Sequence, residues 1–215
     1  MNQKVIEIPP LISRQYLIEG QNNGYLLIDT GLRFNYAKLM RFLKRAVIPI
    51  SSIELIVITH ADGDHFGCLS LLQAQTSSLI SAASDIEATA IRLGKSSRKI
   101  NRAEVTSIFF TMVAPLFNSS PARIDRILSI GDELPYLGGL EILDSYGHTP
   151  GHISLWSKST RTLFSGDSIR IKGKRLSPSF GANTWDKEKA CTSFEKQIAL
   201  QPDRIFAGHG IWRRE

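Results

Sequence analysis

The apolar residues of this chain come in short runs cut by turn residues, the pattern of a protein built from many brief strands with a few helices between them. Residues 4–8 and 14–19 read as strands separated by Pro9-Pro10, and Gly24-Tyr25-Leu26-Leu27-Ile28 as a third, ending at the turn Asp29-Thr30-Gly31. Asn35 is placed to cap a helix whose Tyr36, Leu39, Met40 and Leu43 share one face, with Lys38, Arg41, Lys44 and Arg45 on the other. After Pro49, Ser51 and Ser52, the β-branched run 53–58 predicts a strand, and residues 66–72 predict the start of a buried helix. Leu79-Ile80-Ser81 follows as a strand, and Ser84-Asp85-Ile86-Glu87 opens a capped helix. The stretch 105–113 is apolar enough to require burial and fits helix and strand equally well. From Asp125 onward strands return at 126–128, 140–143, 153–156 and 162–164, separated by Gly131-Asp132, Gly138-Gly139 and Ser159-Thr160. Residues 186–200 form a helix with Phe194 and Ile198 inward and Cys191 as a third candidate; the strand 204–207 leads into Gly208-His209-Gly210.

Composition narrows the class without choosing a function. At 215 residues, 42% hydrophobic and 21% charged, the chain reads as a soluble globular protein, taken as one domain over 1–215. It has no apolar run long enough to span a membrane, and its first residues lack the apolar segment of a signal peptide, so a cytoplasmic location is expected. Cys68 and Cys191 are too few and too isolated for a disulfide framework or a cysteine-rich zinc site, and Cys68 is expected to pack as a small hydrophobe. The formal net charge of +6 is compatible with an anionic partner.

The chemistry concentrates in Thr59-His60-Ala61-Asp62-Gly63-Asp64-His65, where four side chains able to bind a metal follow directly on a strand. Sites in α/β folds commonly lie just outside the carboxyl end of a strand. A cluster this dense would be costly if buried without a compensating charge. Three further segments carry the same residue types: Gly147-His148-Thr149-Pro150-Gly151-His152, Gly166-Asp167-Ser168 and Gly208-His209-Gly210. No Gly-x-Ser-x-Gly elbow, P-loop or dinucleotide-binding glycine fingerprint is present.

Together with Asp29-Thr30-Gly31, these four segments, in this order, resemble the metallo-β-lactamase fold superfamily, whose signature His-x-His-x-Asp-His appears here as His-x-Asp-x-Asp-His. The resemblance implies an α+β fold, an αββα sandwich in which two mixed β-sheets pack face to face with helices outside. It also implies two divalent metal ions, zinc foremost, with iron or manganese as alternatives. Carried over residue by residue, His60, Asp62 and His148 would hold the first ion, Asp64, His65 and His209 the second, and Asp167 would bridge; no other cofactor is expected. Asp29 reads as a structural turn residue, and His152 as a group packed behind the ligands.

The expected function is hydrolysis of an ester, thioester, lactone or phosphodiester by metal-bound hydroxide, with Asp64 orienting the nucleophile and moving a proton toward the leaving group. The expected partner is a small-molecule substrate, for which the positive charge permits an anionic one without requiring it. The carboxylate of Asp62 keeps diiron or mononuclear iron redox chemistry as an alternative, because it adds a third negative charge and an oxygen donor. A nuclease or nucleic-acid-binding member of the fold is the other alternative. Residues 92–118 are expected to form an insertion or lid over the site. Arg92, Lys95, Arg98, Lys99 and Arg102 lie there, either as a solvated face or at its mouth. The resemblance also predicts that Asp62→His, which restores the commoner ligand, keeps fold and metals.

Overall fold

Alternation within the strands dictates the layers. In the computed structural model, which describes residues 3–10, 12–21, 23–98, 119–181 and 184–215, six strands form the first sheet in sequence order. They are β1 (Val5–Ile8), β2 (Gln15–Glu19), β3 (Tyr25–Ile28), β4 (Ile53–Val57), β5 (Ile80–Ala83) and β6 (Arg126–Ile127). β1 to β3 pair antiparallel and β3 to β6 parallel, so the sheet is mixed. On its inner face lie Tyr16, Ile18, Leu26, Ile28, Leu55 and Val57. The intervening Leu17, Leu27 and Ile56 belong to a separate core on the outer face.

The second sheet supplies the facing half of that inner core with Leu140, Ile142, Ile153, Leu155, Phe164 and Phe206. Its strands are β7 (Glu133–Leu134), β8 (Leu140–Asp144), β9 (Ile153–Ser157), β10 (Thr162–Gly166), β13 (Arg204–Ala207) and β14 (Gly210–Arg213), in the spatial order 14-13-10-9-8-7. Only β10 and β13 pair parallel. The hairpin β11 (Ile169–Lys172) and β12 (Arg175–Pro178) stands apart as a two-stranded ribbon.

Helices cover both outer faces. α1 (Tyr36–Arg45), α2 (Gly63–Phe66), α3 (Leu69–Gln73) and α4 (Asp85–Arg92) lie on the first sheet, where Leu39, Leu43, Phe66, Leu69, Leu72 and Ile91 close the outer core. α5 (Lys187–Ala199) sets Phe194 and Ile198 against Trp156, Leu163 and Ile205 of the second. Cys191 is only half-buried, whereas Cys68 is fully buried on the helix side of the first sheet. The architecture is the expected α+β sandwich. No helix among the described residues is long and apolar enough to cross a membrane.

Three local expectations are corrected. Asn35 does not cap α1: a 3₁₀ turn over Arg33–Asn35 precedes the helix, so Asn35 already has helical backbone angles and its side chain makes no cap bond. The helix expected over 66–72 breaks into α2 and α3 at Gly67, where a Cβ would come within 2.8 Å of the Gly31 carbonyl oxygen. Ser84 has the extended backbone of an N-cap, but its side chain does not cap α4; it donates instead to the Gly151 carbonyl at 2.6 Å. The proposed lid falls mostly in 99–118, outside the described residues, as does the ambiguous 105–113.

Candidate metal centre

The sequence-predicted site residues all hang from carboxyl ends of strands, at one edge of the sandwich. β4 runs through Ile58-Thr59 into His60, Asp62, Asp64 and His65; β8 leads to His148, β10 to Asp167 and β13 to His209. A bond from Ile153 N–H to the Thr59 carbonyl, 3.1 Å, ties the start of β9 in the second sheet to the ligand loop of the first. Close approach is paid for in side-chain volume at Gly208, where a Cβ would collide with Asp167 Oδ1 and lie 2.7 Å from His65 Cε1.

The seven residues fall into overlapping groups whose potential ligand atoms lie within 4.8 Å of one another: His60, Asp62 and His148; Asp64, His65 and His209; and His60, His65 and Asp167. Asp167 therefore joins a histidine of each of the other two groups. Its Oδ1 is 3.4 Å from His65 Nε2, and its Oδ2 is 3.2 Å from His209 Nε2 and 3.6 Å from His148 Nε2. Asp62 Oδ2 lies 3.2 Å from His148 Nε2 and 3.5 Å from His60 Nε2, and Asp64 Oδ2 lies 3.6 Å from His209 Nε2.

Each of the four histidines is fixed through its other nitrogen. Nδ1 of His60 meets Thr59 Oγ1 at 3.0 Å, that of His65 meets Asp29 Oδ2 at 2.8 Å, and that of His148 meets Ser179 Oγ at 2.9 Å. His209 Nδ1 lies 3.2 Å from the Ile12 carbonyl. Partners of this kind set ring orientation and tautomer in metal sites. They leave every Nε2 facing the cluster. His60 Nε2, His65 Nε2 and Asp167 Oδ1 are buried without a hydrogen-bond partner. Buried polar atoms normally have one. Imidazole nitrogens and carboxylate oxygens gathered this way imply divalent metal ions, and the residues present fit them.

The charges support the same reading. Burial, reinforced by the neighbouring His65, pulls His60 down to about 4 and keeps its imidazole neutral. Burial alone would raise Asp62, but the Arg98 guanidinium, with His148 and His60, holds it well below the ordinary carboxylate value. Asp167 is likewise held down against burial by His65 and His209. Burial would lower His65, yet the carboxylates of Asp167, Asp29 and Asp64 raise it well above the usual histidine value. Asp64 is pushed up by burial, with Asp167 and Asp62 adding to the rise against His65.

Residues 8–209 match the family model described as the Metallo-beta-lactamase superfamily. The chain belongs to the metallo-β-lactamase superfamily. Two relatives from Bacillus subtilis (strain 168) are each 26% identical to it over 93% of its length: the uncharacterized protein YobT, covered over 83% of its own length, and the probable metallo-hydrolase YflN, covered over 81%. Among solved structures, TTHA1623 in a di-iron-bound form superposes with a TM-score of 0.71 at 23% identity, covering 96% of this chain and 92% of that one, a likeness of fold.

Several residues behind this superfamily site escaped the sequence reading. Asp29, read as a turn residue, accepts from Thr59 N–H at 2.8 Å as well as holding His65. Glu87, fully buried on α4, takes four hydrogen bonds. Its Oε2 accepts from Ala61 N–H at 2.7 Å; its Oε1 accepts from Thr149 Oγ1 at 2.7 Å, Gly151 N–H at 2.9 Å and Ser97 Oγ at 2.9 Å. Burial pushes its carboxyl up, while the Thr149, Ser97, Ala61 and Gly151 donors oppose the rise. Ser84-x-x-Glu87 has the spacing of a capping box, but both side chains are spent on the two histidine loops. His152 does stand behind the ligands: Nε2 accepts from Asp167 N–H at 3.0 Å while Nδ1 meets Ser145 Oγ at 2.6 Å. Arg98, counted with the basic run, is buried and paired with Asp62 at 2.6 Å, so it is neither a solvated face nor a steering charge.

Proposed function

We propose that this chain is a dinuclear metallo-hydrolase, a single metallo-β-lactamase-like domain loaded with zinc, that cleaves an ester, thioester, lactone or phosphodiester in a small anionic substrate. The observation that carries the reading is Asp167, whose two oxygens face His148 of the group with His60 and Asp62 and both His65 and His209 of the group with Asp64, so that this one carboxylate would help to hold an ion at either group. When bound, two such ions supply Lewis acidity and water activation near neutral pH.

The chain's own residues do the rest. Thr59, Asp29 and Ser179 keep three imidazoles presenting Nε2. Asp64, buried beside His209, is placed to accept a proton at Oδ2 and return it to the leaving group. His209 is 47% exposed in its side chain while His60 and His65 are fully buried, so substrate reaches the centre past His209. The net charge of +6 favours an anionic substrate.

Support for hydrolysis comes from YflN, named a probable metallo-hydrolase. The di-iron form of TTHA1623 makes iron the metal to test beside zinc. Titration of zinc, iron and manganese into metal-free protein, followed by a hydrolase panel, tests the proposal: two ions per chain and turnover of at least one ester class are expected. Saturation at one ion, or two ions without turnover of any ester class, refutes it. Filter binding of RNA and DNA at two salt concentrations separates a nucleic-acid substrate, whose phosphate contacts weaken steeply with salt.

A further inference from the structure

The aspartate at position 62 departs from the superfamily signature, and the residue that makes the departure workable lies 36 positions away. Gly94, with φ +66, ends α4 in a left-handed turn; Lys95 N–H bonds back to the Ala90 carbonyl at 3.0 Å, and a Cβ on Gly94 would meet Pro121 at 2.9 Å. That turn sends residues 95–98 back across the ligand loop. Ser96 Oγ donates to Asp62 Oδ1 at 2.9 Å, and Arg98 Nη2 donates to Asp62 Oδ2 at 2.6 Å. Ser97 between them is tied to Glu87, and Arg98 Nη1 reaches the His148 carbonyl at 3.4 Å. Both oxygens of Asp62 are therefore held from behind, while Oδ2 still faces His60 and His148.

The guanidinium is as deeply placed as the ligands, with 5% of its side chain exposed against 14% for Asp62, so water does little to screen the pair. A charge count gives its consequence. Asp62, Asp64 and Asp167 bring three negative charges, and Arg98 cancels one, leaving two. A histidine at 62 with no arginine beside it would also leave two, from Asp64 and Asp167.

We propose that Asp62 and Arg98 act as one unit that replaces a neutral imidazole at the first metal position, Arg98 being the positioning residue that fixes Asp62 and cancels its charge. This rests on the ligand assignment made under the proposed function. It removes the third charge as a reason to favour iron or manganese. It also reverses the expectation for Asp62→His: a histidine alone strands a buried cation beside the metal, so the exchange works only when Arg98 is neutralised too.

The test is a double-variant cycle of wild type, Asp62→His, Arg98→Met and the pair together, read by calorimetric zinc titration and by the melting temperature of the metal-free proteins. Asp62→His alone should lose about 10- to 100-fold in affinity for one of the two ions, the range found when the partners of metal ligands are disturbed. Adding Arg98→Met should recover most of that loss and raise the melting temperature back toward wild type. If Asp62→His alone does not fold, a folded two-ion double variant is the same result. The proposal is overturned if Asp62→His binds both ions as tightly as wild type, or if the double variant does not recover. Coupling in melting temperature without coupling in affinity overturns it as well, by reducing the pair to a structural ion pair. Failure of the ligand assignment would be distinct, because wild type would already take up fewer than two ions.

Discussion

Glu87 offers the sharpest test of how the two histidine loops are held. Glu87→Gln keeps the size of the side chain and lets Oε1 stay where Thr149, Gly151 and Ser97 converge on it. The new amide nitrogen then replaces Oε2, and its hydrogens face the Ala61 N–H, donor against donor. One buried backbone donor loses its acceptor, at a cost of about 1–3 kcal/mol. Glu87→Ala removes the acceptor for two backbone donors, Ala61 and Gly151, while the Ser97 and Thr149 hydroxyls can turn to other partners. That doubles the cost to about 2–6 kcal/mol, before any cavity is counted. Urea unfolding of metal-free protein measures both, and at about 2–4 °C per kcal/mol for a chain of this size the melting temperature follows. Both variants should also bind zinc more weakly, since Ala61 lies between His60 and Asp62. Glu87→Gln within about 0.5 kcal/mol of wild type, or Glu87→Ala no worse than Glu87→Gln, would refute the reasoning.

Two further outcomes follow from the groups around the imidazoles. Asp29→Asn puts an amide where His65 Nδ1 needs a carboxylate, and should weaken the ion held by His65 about 10- to 100-fold while leaving the far-UV circular dichroism unchanged; unchanged zinc affinity would discount Asp29 as the support of His65. His65 and His209 are raised above the ordinary histidine value in the metal-free protein, and a histidine must be neutral to bind a metal. Zinc binding at pH 7 should thus expel protons and tighten as pH rises toward the His65 value, so titrations in two buffers of different ionisation enthalpy should give different heats; identical heats would count against it.

The candidate cluster was legible because its residues sit in short, dense motifs at strand ends, and the strands because apolar residues form short continuous runs along β2, β3 and β4, which are buried on both faces. What was not legible depends on contacts far apart in sequence. Nothing near Glu87 distinguishes a capping residue from an acceptor shared by positions 61, 149 and 151. In sequence Arg98 is one charge among five, and only the turn at Gly94 carries it to Asp62. β7 is two residues long, β14 is rich in Trp212 and Arg213 rather than aliphatic residues, and β11 and β12 carry the polar sequences IRIK and RLSP, so none shows the apolar run that signals a strand. Asn35 failed as a cap because a preceding turn, invisible to residue spacing, had already started the helix.

The split of the ligands between the sheets has a consequence for how the chain assembles. His60, Asp62, Asp64 and His65 come from the first sheet, and His148, Asp167 and His209 from the second. If these residues hold the ions as proposed, each group stays incomplete until both sheets exist and their inner faces have met, since Asp167 must reach His60 and His65 across that seam. Contacts this distant in sequence close late on a folding pathway. Metal capture would then be a clock for the docking step: in stopped-flow refolding with a zinc-sensitive dye, uptake should lag behind the return of backbone signal and coincide with burial of Tyr16, which meets Phe164 and Phe206 of the second sheet.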